Sequence, residues 1–244
     1  MSTHVVLIDN HDSFVYNLVD AFAVAGVRCT VFRNTVPPDH VIAANPDVIC
    51  LSPGPGHPRD AGHMMQLIDA AIGTVPILGI CLGFQALLEH FGGVVAPCGP
   101  MHGVTDIMTL TDEGAASPLF AGLTVDVPDG DTQNSGRRVP VARYHSLGCV
   151  DVPKEFVSLG NCQSDAGEVT MAALTRDNLA LGLQFHPEVV HTEHGRDILR
   201  RFLFDICGCA GDWRLEDWVE GAVADIRRQV GEGRAVCGLS GGVD

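Results

Sequence analysis

Five residues, Gly79-Ile80-Cys81-Leu82-Gly83, constrain this chain more than any others. The run before them, Val75 to Ile80, is apolar and reads as a buried strand. After them Phe84, Leu87, Leu88 and Phe91 recur at i, i+3, i+4 and i+7, the spacing of an amphipathic helix, and Gly92-Gly93 stops it. Cys81 therefore sits on a tight strand-to-helix turn, the cysteine counterpart of the G-x-S-x-G nucleophile elbow. Such a turn is strained and crowded, so it takes glycine on both sides of the nucleophile. The helix start adds a positive dipole end and unpaired N–H groups, which suit a thiolate and a developing oxyanion. A cysteine in an apolar run is ordinarily core. The paired glycines and the change of hydrophobic period favour a nucleophile here.

The chain has 244 residues, 46% of them hydrophobic, enough for one full core and part of a second. A net charge of −15 argues against nucleic-acid binding and suits small-molecule chemistry. Nine cysteines lie at scattered spacings, two of them (Cys29, Cys50) inside predicted strands, and read as reduced thiols. No apolar stretch is long enough to cross a bilayer, and the N-terminus lacks the basic-then-apolar build of a signal peptide. The expectation is a cytoplasmic protein with no membrane partner.

From the N-terminus, Val5 to Ile8 predicts a strand, and Val15, Leu18, Val19 and Phe22 predict a helix that Asp12 or Ser13 can cap and Gly26 closes. Val27 to Arg33 is a second strand, parallel to the first in a β-α-β unit. The loop after strand one holds no glycine, which argues against a dinucleotide cofactor. Val48 to Leu51 is a third strand. It runs into Ser52-Pro53-Gly54-Pro55-Gly56-His57-Pro58, a stiff loop expected to face the Cys81 turn across the carboxyl ends of a parallel sheet. A helix is expected from about Asp60 to Ile72, with Met65, Ile68 and Ile72 on one face. Beyond Gly93 come short strands at Val94-Val95, Thr105–Leu110 and Val139–Arg143. A polar loop spans Asp126–Arg138, and a hairpin turns at 175–178.

The second arm of that hairpin enters His186-Pro187-Glu188. Proline disfavours helix at 186, so the segment is extended, and in an extended chain His186 and Glu188 share a face. A base oriented by a carboxylate is what a cysteine nucleophile needs. H-P-E alone would be a surface turn; with the Cys81 elbow it completes a candidate Cys-His-Glu triad.

Three stretches in this order, P-G-P-G-H-P at 53–58, G-I-C-L-G-F-Q at 79–85 and Q-F-H-P-E at 184–188, resemble the class I (triad) glutamine amidotransferases. The resemblance covers about residues 4–206. It implies an α/β fold with an open, mostly parallel, flavodoxin-like central sheet flanked by helices. It implies an enzyme that hydrolyses L-glutamine through a γ-glutamyl thioester and delivers ammonia to a synthase, with no metal or organic cofactor. By the same resemblance Cys81, His186 and Glu188 are catalytic, and the N–H groups of Leu82 and Gly54 form the oxyanion hole. Gly54, Pro55, Gly56, Gln85, Ser146 and Leu147 then bind substrate, the last two through backbone groups.

The two ends of the chain resemble different members. V-V-L-I-D-N-H-D-S-F-V-Y-N-L (5–18), C-G-P-M-H-G (98–103) and R-Y-H-S-L (143–147) are similar to the glutaminase component of anthranilate synthase or its aminodeoxychorismate relative. Q-F-H-P-E-V-V-H-T (184–192), F-L-F-D-I-C-G-C (202–209), G-D-W (211–213) and L-S-G-G-V-D (239–244) are similar to GMP synthetase. The expected layout is an amidotransferase domain over 1–206, then a linker and the start of an ATP-pyrophosphatase-like domain over 207–244. Leu199, Phe202, Leu203 and Ile206 would complete the core. Residues 219–230 form an amphipathic helix and 235–239 a strand, with 210–244 loosely held. The leading expectation is the partner of a chorismate-binding anthranilate synthase subunit. The alternatives are the amidotransferase domain of GMP synthetase, a catalytically idle interaction subunit, and an unrelated cysteine hydrolase. Cys207-Gly208-Cys209 is too closely spaced to suggest a metal site.

Overall fold

A computed structural model describes residues 2–126, 134–231, 233, 234 and 236. Its spine is a nine-stranded sheet. In chain order the strands are β1 (His4–Asp9), β2 (Arg28–Arg33), β3 (Val48–Leu51), β4 (Ile77–Ile80), β5 (Ala96–Leu110), β6 (Arg138–Gly148), β7 (Phe156–Ser164), β8 (Gly167–Thr175) and β9 (Ala180–Leu183). Their order across the sheet is β2-β1-β3-β4-β9-β8-β7-β5-β6. From β2 to β9 every neighbour is parallel; from β9 to β6 every neighbour is antiparallel. The expected α/β class and parallel sheet are present, extended on one side by long antiparallel strands.

Helices cover both faces of the parallel half. On β1, Val5 and Leu7 point to the side packed by α1 (Val15–Val24) and α6 (Gly195–Arg201), the latter continued by a π-helical turn at Phe202–Ile206. Val6 and Ile8 point to the side packed by α2 (Pro38–Ala43), α3 (Met64–Ala71) and α4 (Leu82–His90). Strand alternation thus gives each face its own core, and each fully buried Leu, Ile or Phe contributes about 2 kcal/mol. A short α5 (Asp112–Ala116) packs on β7, capped by Thr111, whose Oγ1 accepts from Gly114 N at 3.0 Å.

Several elements differ from expectation. Neither Asp12 nor Ser13 caps α1: Phe14 holds the N-cap position without a side-chain bond, Asp12 Oδ2 accepts from Phe14 N (2.7 Å) in the turn before it, and Gly26 closes the helix with φ 77°. The helix expected from Asp60 starts only at Met64, because Gly62 (φ 56°) breaks the chain there against the Asn34 carbonyl. Its buried face is Met64, Leu67, Ile68 and Ala71, rather than Met65 and Ile72. Val94-Val95 is not a strand, and Val94 is exposed. Leu199, Phe202 and Leu203 fill the core as expected; Ile206 is only partly buried against it, and Ile198, which was not anticipated, is buried beside them.

The linker after Ile206 is attached as far as Trp213. Ala210 N donates to Thr3 Oγ1 (3.0 Å) and Trp213 N to Gly26 O (2.8 Å). These bonds hold residues 210–213 to the N-terminal segment, where a loosely held chain was expected from residue 210 onward. The tail helix exists as α7 (Leu215–Val230), closed by Gly231 at φ 54°, with Val219, Val223 and Ile226 exposed. The expected strand over 235–239 and the L-S-G-G-V-D stretch lie outside the described residues, apart from Val236.

Candidate active site

The carboxyl ends of β1, β3, β4 and β9 lie side by side, and the loops leaving them build one site. Cys81 stands between β4 and α4 with φ 51°, ψ −101°, a left-handed conformation costly to a residue with a Cβ. It is held there at both ends: its N–H donates to Leu183 O at 2.7 Å, and its carbonyl accepts from Gln85 N at 3.0 Å. The flanking glycines are steric necessities. A Cβ on Gly79 would lie 2.6 Å from Gly83 O, and one on Gly83 would run into the Leu51 carbonyl.

The Pro/Gly loop after β3 presses onto the same corner. A Cβ on Gly54 would meet Asn10 at 2.6 Å and Leu82 Cδ2 at 3.0 Å, so Gly54 and Leu82 are neighbours, while Pro55 and Gly56 are exposed beyond them. The loop is fixed from below by Asn10, whose N–H donates to Ser52 Oγ and whose amide donates to Ser52 O, both at 2.9 Å. It is tied outward to α4, where Glu89 pairs with His57 (3.4 Å) and Arg59 (3.1 Å).

His186 and Glu188 follow β9. His186 Nδ1 lies 2.6 Å from Glu188 Oε1, with the imidazole 4% and the carboxylate side chain 0% exposed. Burial pushes the imidazole pKa down. Bonding to the Cys81 and Glu188 side chains, reinforced by their charges, more than offsets it and raises the pKa to about 10. Nδ1 is taken by Glu188, so Nε2 is the nitrogen available to Cys81; it is buried and makes no other hydrogen bond among the described residues. His186 N donates to Ala142 O (3.1 Å). Thr192 Oγ1 donates to His186 O (2.6 Å) and accepts from Ala142 N (3.0 Å), welding this segment to β6. The Tyr144 and Phe14 rings stand edge-on to the imidazole at 5.2 and 6.4 Å.

Gln85 is buried one helical turn past Cys81. Its amide nitrogen donates to Leu147 O (3.0 Å) and to Gln184 Oε1 (3.2 Å), and Gln184 Nε2 reaches Cys81 Sγ at 3.6 Å. Both Gln85 amide protons are thus committed within the protein, and only its oxygen can meet a ligand. Ser146 is exposed beside Leu147. The structure links Gln85, Leu147 and Gln184 to Cys81 by hydrogen bonds, sets His186 on Glu188 and packs Gly54 against Leu82, while Pro55, Gly56 and Ser146 are exposed. Two residues here were not singled out from the sequence: Gln184 and Thr192. Gln184 was within reach, because the alternation that puts Glu188 on the face of His186 puts Gln184 there too. Thr192 carries no such signal.

A cavity of about 630 Å³ lined by Gly93, Pro97, Cys98, Gly148, Asp151 and Lys154, among others, includes none of the residues around Cys81. No group of three or more His, Cys, Asp or Glu among the described residues could hold a metal ion, and no helix there is long and apolar enough to cross a membrane.

The family model for class-I glutamine amidotransferases matches residues 6–206. Anthranilate synthase component 2 of Corynebacterium glutamicum is 64% identical over 199 residues, covering 82% of this chain and 96% of that protein. A glutamine-hydrolysing GMP synthase of Symbiobacterium thermophilum is 37% identical over 244 residues, covering 98% of this chain and 44% of that protein. Among solved structures, a glutamine amidotransferase from Thermotoga maritima superposes with a TM-score of 0.63 at 16% identity, over 85% of this chain and 99% of that one; this likeness concerns the fold.

Proposed function

This chain belongs to the class-I glutamine amidotransferases, and from that membership we propose that it is the glutaminase subunit of an anthranilate synthase. It hydrolyses L-glutamine to L-glutamate in the cytoplasm and passes ammonia to a chorismate-binding partner. One observation carries the chemistry: Cys81, His186 and Glu188 converge, buried, beside the free start of α4.

In the proposed reaction the Cys81 thiol proton already resides on His186 Nε2, as the raised imidazole pKa favours, and Cys81 Sγ attacks the side-chain amide carbon of glutamine. Glu188 holds Nδ1 and stabilises the imidazolium. The oxyanion forms against the N–H groups of Leu82 and Gly54, each worth about 3 kcal/mol in the transition state if it acts as such donors do elsewhere. Collapse breaks the C–N bond, and His186 returns the proton to the departing ammonia. Water, deprotonated by His186, then attacks the γ-glutamyl thioester and releases glutamate. Gly54, Pro55 and Gly56 form one wall of the site. Gln85 accepts a hydrogen bond from the substrate α-ammonium through its oxygen. The Leu147 carbonyl already receives the Gln85 donor, so the remaining backbone groups of Ser146 and Leu147 grip the amino-acid end.

The end of the family match at residue 206 supports an amidotransferase domain over 1–206 followed by a distinct 207–244 segment. That segment favours a second reading, the amidotransferase domain of a GMP synthetase, because the Symbiobacterium protein aligns across 244 residues. The higher identity to anthranilate synthase component 2 favours the first. The test is glutamate release from glutamine, with and without an anthranilate synthase chorismate-binding subunit, with Cys81→Ala as the control. Stimulation by that subunit, lost in the variant, is the expected result. Hydrolysis without stimulation would move the partner to GMP synthetase, and no hydrolysis in either case would leave an idle interaction subunit.

A further inference from the structure

We propose that Arg143 and His145 are positioning residues for the glutamine site, holding the Leu147 carbonyl and so fixing the backbone that grips the substrate. The proposal rests on the glutaminase reading above. Arg143, His145 and Leu147 alternate along β6 and share one face, while Tyr144, on the other face, turns its ring toward His186. The Arg143 side chain is 0% exposed. Its Nη1 donates to Asp106 Oδ2 (2.5 Å) and to Gln163 O (2.9 Å), and its Nε donates to His145 Nε2 (3.2 Å).

A guanidinium can only donate. His145 Nε2 must therefore accept, which places the imidazole proton on Nδ1. Nδ1–H in turn donates to Leu147 O at 2.9 Å. That oxygen also receives the Gln85 amide at 3.0 Å, so both of its lone pairs are filled and the peptide plane after Leu147 has one orientation. From there the chain of bonds continues through Gln85 and Gln184 to Cys81 Sγ. A buried guanidinium is a poor device for stability, because apolar residues of similar volume commonly serve a core as well. A donor-only group that dictates a neighbour's tautomer is a good device for geometry.

The test uses the full chain and measures glutamine KM and kcat together with the rate of Cys81 alkylation by iodoacetamide, with Cys81→Ala as the blank. His145→Phe should raise KM about tenfold, the scale of one lost hydrogen bond, and leave the alkylation rate near that of the parent. His145→Asn, which keeps an N–H near the Nδ1 position, should restore most of the affinity. His145→Gln, which places its amide near Nε2, should not. Arg143→Lys keeps the charge beside Asp106 but loses the Nε donor and should also raise KM. If His145→Phe does not fold, the Asn/Gln contrast decides. Unchanged KM in His145→Gln and Arg143→Lys would overturn the proposal, as would a fall in kcat and alkylation at constant KM. If the parent chain hydrolyses no glutamine, the glutaminase reading itself fails, and this proposal falls with it.

Discussion

Around Cys81 the backbone is positioned by side chains that are absent; around His186 it is positioned by hydrogen bonds between residues far apart in the chain. At the first centre Gly79, Gly83 and Gly54 let β4, α4 and the Pro/Gly loop approach so closely that a single Cβ would collide with backbone or side chain. At the second, Ala142 and Thr192 hold the His186 backbone and Glu188 holds its imidazole, all through donors and acceptors. Steric positioning leaves no intermediate state, because the turn either closes or does not. Hydrogen-bonded positioning degrades by steps, one partner at a time.

Graded substitutions sharpen that contrast. Gly83→Val drives a branched side chain into the Leu51 carbonyl, and we expect a loss of about 3 kcal/mol or more with no measurable glutaminase, read by urea unfolding and activity. A Gly83→Val protein with parent-like stability would break the comparison. Glu188→Gln removes the carboxylate at Nδ1, and kcat should fall by about 10²- to 10⁴-fold while the fold persists.

The same variant has a signature in pH. The folded-state pKa of His186 is raised from 6.5 to about 10, so the native protein keeps a proton that the unfolded chain releases. That contribution is complete below pH 6.5 and is lost as the pH rises toward about 10. Unfolding free energy should therefore decline across this window, and Glu188→Gln should flatten the decline. An identical slope in both proteins would mean that Glu188 does not hold the proton. Smallest is Thr192→Val, which removes the bridge between His186 O and Ala142 N. A cost of about 1–2 kcal/mol in stability, with activity reduced but present, is expected. Complete inactivity would show that the second centre is as intolerant as the first.

The same contrast explains what could be read in advance. Glycines that admit a turn sit beside the turn in sequence, so the Cys81 elbow, the Pro/Gly loop and the parallel strands were legible from local pattern. His186-Pro187-Glu188 was legible because its partners lie two residues apart. Thr192 was not, since its value depends on Ala142, fifty residues away in sequence. The antiparallel half was also poorly legible. β5 contains Pro97, Gly99, Pro100 and Gly103, which read as turns, and its pairing with β6 shifts register between Pro97 and Met101. β7 was not anticipated; its own register shifts around Gly160 blur the alternation that marks a strand. At six residues, α2 is too short for a helical period to declare itself.

The bonds between Thr3 and the linker, Ala210 N donating to Thr3 Oγ1 and Thr3 N donating to Asp212 Oδ1, carry a further implication. They place the point where the chain enters the sheet next to the point where it leaves the last core helix. A unit whose entry and exit adjoin in this way can be joined to other protein at one small patch of its surface. It can then be attached, detached or inserted while the carboxyl edge of the sheet, where Cys81 lies, stays untouched. The path by which glutamine arrives and ammonia leaves is thereby freed from the path by which the polypeptide itself continues.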